Sequence, residues 1–352
     1  MDVLLKGNEA MAEGSIRAGC KFYFGYPITP QNEIIEYMAH NLPNVCGVFI
    51  QAESEIAAIN MVFGASAAGA RVMTSSSSPG ISLMQEGISN MAAAELPCVI
   101  VNVMRGGPGL GNIKASQGDY FQATKGGGHG DYKLIVLAPA SVQECYNISQ
   151  KAFDLADKYR IPVMILADGL VGQMVERVKL KKYDKCKSLP DKNWAITGCK
   201  GRESRIVKTL YLHPEDGLEK LNIYLNRKYE RIKKEVIEYE DYKTGNAELI
   251  IVAYGIVSRI AKSAIKSAIN EGLKVGMIRP VTLWPFPSNH LSKIEEECKK
   301  ILVIEMSNGQ MVEDVKLSVK DKSKVFFYGF GGGWCPTPNN LLQKIREVSN
   351  YE

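Results

Sequence analysis

From residue 20 to residue 175 the chain repeats one pattern, a short run that is apolar at almost every position followed by a longer stretch with helical periodicity. The runs are KFYFG, VCGVFI, RVMT, CVIVNVM, KLIVLA and PVMILA, and the stretches between them include SEIAAINMVFGASAAGA, ISLMQEGISNMAAAE and SVQECYNISQKAFDLADKY. A strand with one face in water alternates polar and apolar residues, whereas a strand without polar positions has to be covered on both faces. Parallel strands also need a long crossover, and a helix supplies both crossover and cover. The pattern therefore dictates an α/β fold, a doubly wound parallel sheet. One helix is expected from Asn8, read as its cap, and a second from about Pro30, a residue common at a first helical position.

Near Lys179 the pattern stops. Residues 179–246 are lysine-rich and poor in strand signals, and Leu218, Leu221, Leu225, Ile232 and Val236 form an apolar stripe on a charged helix. Such a segment reads as a linker arm laid on a neighbouring domain or subunit. Alternation resumes with ELIIVAYG, KVGMIRP, ILVIEMSNGQ and KVFFYGFGGG, enough for a second, smaller α/β domain of about four parallel strands. The expected division is 1–178, 179–246 and 247–352.

Composition narrows the function. No apolar run approaches the roughly 20 residues that cross a bilayer. The opening MDVLLKGNEAMAEG has no basic stretch ahead of an apolar core, so a cytoplasmic chain is expected. A net charge of +5, with no basic stripe interleaved with aromatics in the first 175 residues, argues against nucleic acid as a partner. The eight cysteines, Cys20, Cys46, Cys98, Cys145, Cys186, Cys199, Cys298 and Cys335, include no C-x-x-C pair. That argues against zinc, a dithiol redox site or an iron–sulfur cluster on this chain.

In open α/β sheets ligands collect beyond the carboxyl ends of the strands, where loop amides and helix N-termini converge. In the first domain those positions hold Thr29 within GYPITP, Glu53 and Glu55 after GVFI, the run Ser75 to Ser78 with Pro79 and Gly80 after RVMT, and Arg105 ahead of GGPGLG. Each also has a plain structural explanation. Thr29 could be the last turn residue before a helix, the glutamates could complement a helix dipole, the serines could be a redundant cap, and Arg105 could pair with an acid such as Asp119. Their coincidence at one sheet edge favours one site. A fixed cation, hydroxyls, amides and a carboxylate suit a small anionic substrate beside a larger cofactor. No nucleophile–base pair stands out; His129, in KGGGHGD, is the candidate site histidine, and His40 at a helix end is read as structural. RGGPGLGN and YGFGGGW lack the G-x-G-x-x-G order, and no Walker lysine follows a glycine loop, so neither NAD nor ATP is supported.

GYPITP, QAESEIAAINMVFGASAAGARVMTSSSSPGISLMQEG, ELPCVIVNVMRGGPGLG and KGGGHGDYKLIVLAPAS together resemble the alpha-type subunit of the 2-oxoacid:ferredoxin oxidoreductases, thiamine-diphosphate enzymes of anaerobes. The wording TSSSSPGISLMQEG is most similar to the branched-chain type, which acts on 2-oxoisovalerate (3-methyl-2-oxobutanoate). The resemblance implies a pyrimidine-binding thiamine-diphosphate domain followed by a transketolase C-terminal-like domain. It implies that Glu55, in the S-E-x-A-A pattern, contacts N1′ of the cofactor's aminopyrimidine, while Glu53 points elsewhere. Thr29 would bond the substrate's oxo or carboxylate oxygen and Arg105 would hold the carboxylate, with Tyr26, Pro27, Ser77 and Ser78 beside the cofactor. The implied reaction is oxidative decarboxylation to acyl-CoA and CO₂, with electrons leaving for ferredoxin.

The family's diphosphate and Mg²⁺ site uses a G-D-G motif, which the ADGL at Ala167 to Leu170 imitates without its first glycine. No metal ligand is therefore expected here. Mg²⁺ and the diphosphate would be held by a beta-type partner, and the iron–sulfur clusters by gamma-type and ferredoxin-like subunits. The segments AYGIVS, RPVTLWPFP and EMSNGQ of the second domain read first as packing and second as contacts to a partner or coenzyme A. The resemblance leaves open 2-oxoglutarate or pyruvate as substrate, and a non-catalytic assembly or regulatory subunit as role.

Overall fold

The structure, a computed structural model, describes residues 2–181 and 189–351; Cys186 and part of the lysine-rich stretch lie outside the described residues. The first half contains β1 (Asp2–Lys6), α1 (Gly7–Arg17), β2 (Phe22–Gly25), α2 (Asn32–Asn41), β3 (Val48–Gln51), α3 (Glu55–Ala67), β4 (Val72–Ser76) and α4 (Ser78–Ala93). It continues with β5 (Cys98–Gly106), β6 (Asn112–Ala115), β7 (Ile135–Leu137), α5 (Val142–Tyr159), β8 (Pro162–Asp168), α6 (Gly169–Gln173) and β9 (Val175–Lys179). Strands β3-β2-β4-β5-β8-β7 lie side by side in that order, all parallel. The fully apolar runs are its buried strands: β4, β7 and β8 are buried at every residue, and β5 at every residue but Arg105. Only the edge strand β3 is largely exposed. Two short strands escaped the periodicity reading, β1 and β9, which pair antiparallel with each other from Asp2 opposite Lys179 to Lys6 opposite Val175.

The second half contains α7 (Leu218–Glu235), β10 (Tyr239–Tyr242), β11 (Leu249–Val252), α8 (Gly255–Asn270), β12 (Val275–Pro280), β13 (Thr282–Trp284), α9 (Ser288–Glu297), β14 (Lys300–Glu305), α10 (Met311–Ser318), β15 (Val325–Gly329) and α11 (Pro338–Ser349). The second sheet runs β10-β12-β11-β14-β15. Its last four strands are parallel, as the alternation led us to expect. Strand β10, from the stretch read as linker, adds an antiparallel edge. Strand β13 leaves this sheet altogether and pairs antiparallel with β7, so the second half closes the edge of the first sheet. A three-residue strand flanked by prolines carries no periodicity from which its sheet could be assigned.

One apolar core runs from the first sheet through Leu225, Tyr229 and Ile232 of α7 to Ile250, Val252, Leu283 and Trp284. The arm helix thus lies on the first half, with Leu225, Ile232 and Val236 of its stripe buried and Leu218 exposed. Lys228 is buried with it, its Nζ 3.0 Å from both the Glu95 carboxylate and the Arg160 carbonyl. The Arg279 guanidinium on β12 reaches Glu144 on α5 with two bonds of 2.8 and 2.9 Å and Glu240 on β10 at 2.8 Å, tying the two sheets together. Among the described residues no helix is long and apolar enough to cross a membrane.

Candidate active site

The direction of winding reverses at β2. The chain passes from β2 to β3 on one side and returns to β4 on the other, so the loops leaving β2 and β4 part and open a crevice, the place where such sheets bind ligands. Strand β2 delivers the turn from Tyr26 to Pro30, β3 delivers Glu55 as the first residue of α3, β4 delivers Ser77 ahead of α4, and β5 delivers Arg105.

Glu55 is only 5% exposed, and its carboxylate accepts one long hydrogen bond, from Ser76 Oγ at 3.4 Å. Ser54 caps α3 by accepting from Ala57 N–H at 3.1 Å, which fixes Glu55 at the positive end of the helix. The space around the carboxylate depends on Gly80: a Cβ there would stand 2.3 Å from Glu55 Oε1 and 2.0 Å from Ser76 Oγ. Ser77 lies at the cap of α4, yet its hydroxyl makes no cap bond and is buried without a partner. Buried polar groups are almost always paired, so the nearly unpaired Glu55 carboxylate, and at the neighbouring helix cap the unpaired Ser77 hydroxyl, have bonding capacity that a ligand could take up. Glu53, two residues away, is exposed.

Thr29 and Arg105 meet. Arg105 Nη1 donates to the Thr29 carbonyl at 3.1 Å, Nη2 donates to the Leu110 carbonyl at 3.0 Å, and the Arg105 backbone N–H donates to Ser78 Oγ at 3.1 Å. The alternative pairing of Arg105 with Asp119 does not form. Asp119 instead accepts from Ser78 Oγ at 2.5 Å and Asn102 Nδ2 at 2.9 Å, and burial pushes its carboxyl up against the pull of those two bonds. Tyr26 and Pro27 are exposed at the rim.

Three carboxamides that the sequence reading passed over hold the turn. Gln31, fully buried, donates to the Tyr26 carbonyl at 3.3 Å and accepts from Ser75 Oγ at 2.5 Å, which is itself 2.6 Å from Tyr23 Oη. Asn8 and Gln173 each donate to the Pro30 carbonyl at 2.8 Å. Two helix starts shift accordingly: α1 begins at Gly7, which turns the Asn8 amide inward instead of using it as a cap, and α2 begins at Asn32, beyond Pro30. The signal that could have found these residues is a polar side chain at a helix start facing a turn whose carbonyls have no ladder partner.

His129 is not part of this crevice. It is exposed, and its carbonyl accepts from Ser89 Oγ at 2.7 Å. Ser89 lies nine residues along α4 from Gly80, about 14 Å at the rise of a helix. The ADGL segment serves the fold, because Asp168 accepts from Val171 N–H at 2.9 Å, capping α6, and from Ile256 N–H at 2.8 Å, tying down α8. Burial pushes its carboxyl up to about 6 although those N–H groups pull it down. The strand-end segments of the second sheet pack as well. Tyr254 O accepts from Gln117 Nε2 at 3.0 Å, Trp284 stands edge-on to Tyr229, and Glu305 caps α10 by accepting from Gln310, Met311 and Val312 N–H. Among the described residues no group of three or more His, Cys, Asp or Glu side chains is placed to hold a metal ion.

Residues 13–241 match the family model described as pyruvate flavodoxin/ferredoxin oxidoreductase, thiamine diphosphate-binding, and residues 247–341 match pyruvate:ferredoxin oxidoreductase core domain II. The chain belongs to the 2-oxoacid:ferredoxin oxidoreductase family. It is 49% identical over 346 residues to the ketoisovalerate oxidoreductase subunit VorB of Methanothermobacter thermautotrophicus, covering 98% of this chain and 97% of that one. The solved 2-oxoglutarate:ferredoxin oxidoreductase from Magnetococcus marinus superposes with a TM-score of 0.88 at 30% identity over 99% of this chain; the match spans 65% of that chain. A split-gene transketolase, at a TM-score of 0.59 and 13% identity over 98% of both chains, shares the fold alone. The family and the thiamine-enzyme α/β architecture expected from the sequence are therefore borne out, and the chain is an oxidoreductase-family subunit with a thiamine-diphosphate-binding region.

Proposed function

We propose that this chain is the alpha-type subunit of an oxidoreductase that converts a branched-chain 2-oxoacid, 2-oxoisovalerate, to its acyl-CoA and CO₂, with ferredoxin taking the electrons in the cytoplasm. The observation that carries the reading is the buried, almost unpaired Glu55 carboxylate in the hollow left by Gly80. The choice of substrate is supported by 49% identity to a protein named a ketoisovalerate oxidoreductase subunit. The structural relative with 2-oxoglutarate bound is 30% identical and supports the second reading, a dicarboxylic 2-oxoacid, less strongly.

Glu55, Ser77 and Gly80 fit an aminopyrimidine ring: the carboxylate can accept from a protonated ring nitrogen, the unpaired hydroxyl can meet a second polar edge, and the missing Cβ leaves room for a flat ring. Thiamine diphosphate, when bound, supplies a nucleophilic carbon and an electron sink for the decarboxylation. Glu55 holds the proton at the ring nitrogen and so sets the ring's tautomer. Tyr26, Pro27 and Ser78 border the same crevice, Thr29 directs its hydroxyl toward the oxo group, and Arg105 presents guanidinium charge to the substrate carboxylate.

The cofactor's diphosphate and Mg²⁺ belong on a beta-type partner, and the iron–sulfur clusters on gamma-type and ferredoxin-like subunits. The partner's place is supported by α3. Its sequence, EIAAINMVFGASA, is apolar almost all round, a property of helices buried on every side. Yet Ile56 and Met61 are exposed, together with Leu83 of α4 and Val48 and Ile50 of the edge strand β3. Co-expression with the beta-type, gamma-type and ferredoxin-like subunits should give CoA- and thiamine-dependent viologen reduction, fastest with 2-oxoisovalerate in a panel of 2-oxoacids. Glu55→Gln should lower that rate at least a hundredfold. A variant that keeps its rate removes Glu55 from the role, and a complex that reduces dye with no 2-oxoacid rejects the function.

A further inference from the structure

The turn that carries Thr29 is gripped at almost every carbonyl. Gln31 holds Tyr26 O, the Gln31 backbone N–H holds Ile28 O at 3.1 Å, Arg105 holds Thr29 O, and Asn8 and Gln173 together hold Pro30 O. The last grip is the most elaborate. Asn8 Nδ2 and Gln173 Nε2 each donate to Pro30 O and also to Glu33 Oε2, all four contacts at 2.8 Å. Lys6 Nζ closes the arrangement on Glu33 Oε1 at 2.8 Å. Burial alone would push the Glu33 carboxyl up, but the bonds from Lys6, Asn8 and Gln173 carry it below its ordinary value, so the acid is an ionised acceptor for all three. Donors from α1 and α6 thereby converge on one peptide carbonyl, and Glu33 of α2 anchors both of them.

This arrangement has a cost that packing alone does not explain. Asn8 Oδ1 is buried without a hydrogen-bond partner. It fits only because Gly172 has no side chain, since a Cβ there would stand 2.6 Å from that oxygen. A Leu or Met would fill the same volume with no unsatisfied oxygen. Keeping an amide there makes sense if its donors are needed where they point.

We infer that Asn8 and Gln173 are positioning residues for the reaction proposed above, fixing Thr29 against the substrate by gripping the carbonyl of Pro30, the next residue; the inference rests on that reading. Neither amide needs to touch substrate. Their effect passes through the Thr29 hydroxyl, and that sets the test.

In the assembled enzyme, Gln173→Met, which keeps length and removes the donor, should lower kcat/KM for 2-oxoisovalerate about tenfold, because a fraction of an ångström of slack at a reacting group is costly where about 1 Å costs about a hundredfold. The KM for coenzyme A should hardly move and the complex should stay assembled, the lost bond to the ionised Glu33 lowering the melting temperature only by a few degrees. In a Thr29→Val background, where the hydroxyl is already gone, the same substitution should change kcat/KM less than twofold. Asn8→Leu provides the second arm of the same cycle, should either variant fail to fold. An effect of equal size in both backgrounds, or no effect in either, overturns the inference. If Thr29→Val alone changes nothing, or wild-type enzyme turns over no 2-oxoacid, the proposed function itself has failed.

Discussion

Gly80 offers the sharpest perturbation of the crevice, because its role is one of space and not of backbone conformation. Ala at this position would put a Cβ 2.3 Å from Glu55 Oε1 and 2.0 Å from Ser76 Oγ, where ordinary contact begins at 3.4 Å. Ser76 is fully buried at the end of β4, so its hydroxyl has to turn aside within a packed site and the Glu55 carboxylate has to give way by about 1 Å as well. On the proposed role of Glu55 as acceptor for a bound ring nitrogen, a displacement of that size costs about a hundredfold in turnover. Relieving the clash costs about 1–3 kcal/mol, while Ala in place of Gly within a helix returns about 1 kcal/mol. The Gly80→Ala chain should therefore fold and assemble with its partners while the complex loses about 99% of its 2-oxoacid-dependent viologen reduction. Thermal unfolding of the chain and dye reduction by the complex, measured side by side, check both halves. Activity within twofold of wild type would refute the claim that Glu55 works in the hollow beside residue 80.

Two further outcomes follow from contacts outside the crevice. Burial holds the Asp168 carboxyl at about 6 against an ordinary value of 3.8, so the folded state binds this proton more tightly than the unfolded one. Stability from this group is therefore fully present below about pH 4 and is lost as the pH rises through 6, about 3 kcal/mol in all. Asp168→Asn cannot titrate, so the stability of wild type relative to the variant, followed by denaturant unfolding, should be about 2 kcal/mol greater at pH 4 than at pH 7; a constant difference contradicts the buried placement. On the exposed apolar face, Ile56→Glu should leave the isolated chain's melting temperature unchanged, because Ile56 is 52% exposed, yet abolish co-purification with the beta-type partner. Retained assembly would put the partner on another face.

The fold was legible where side chains repeat with a period. Strands β4, β5, β7 and β8 were found because burial on both faces leaves no polar position to confuse the pattern. The elements that escaped include β1 and β9, five residues each, β10 with four and β13 with three, and all lie at sheet edges. There one side is open, and DVLLK or YEDY is indistinguishable from a loop. The site divides in a similar way. Glu55, Thr29 and Arg105 could be placed at one sheet edge by knowing that strand ends collect ligands, but Asn8, Gln31 and Gln173 could not. A carboxamide carries no signature of its own, and its importance lies in which carbonyl it meets, a fact fixed only when α1, α2 and α6 are folded against one another. His129 failed for the opposite reason, since a histidine in a glycine-rich loop looks catalytic wherever the loop happens to lie.

The residues placed around the crevice come from the first sheet, yet their positions depend on the second. Gln117 binds Met306 in both directions, its backbone N–H donating to Met306 O at 2.8 Å and its Oε1 accepting from Met306 N–H at 3.0 Å. Further along, the same loop is pinned again, by Gln310 Nε2 on Gly118 O at 2.6 Å and by Phe121 N–H on Gln310 Oε1 at 2.7 Å. Asp119 sits between those pins, holding Ser78 Oγ, and Ser78 in turn takes the backbone N–H of Arg105. The cation of the site is thus set from behind by a buried acid whose own position is decided at the carboxyl ends of β14 and β11. Loops at strand ends are the most mobile part of an α/β fold. Fastening one of them to a second sheet gives Arg105 a fixed origin through its backbone N–H, while its guanidinium bonds the Thr29 and Leu110 carbonyls.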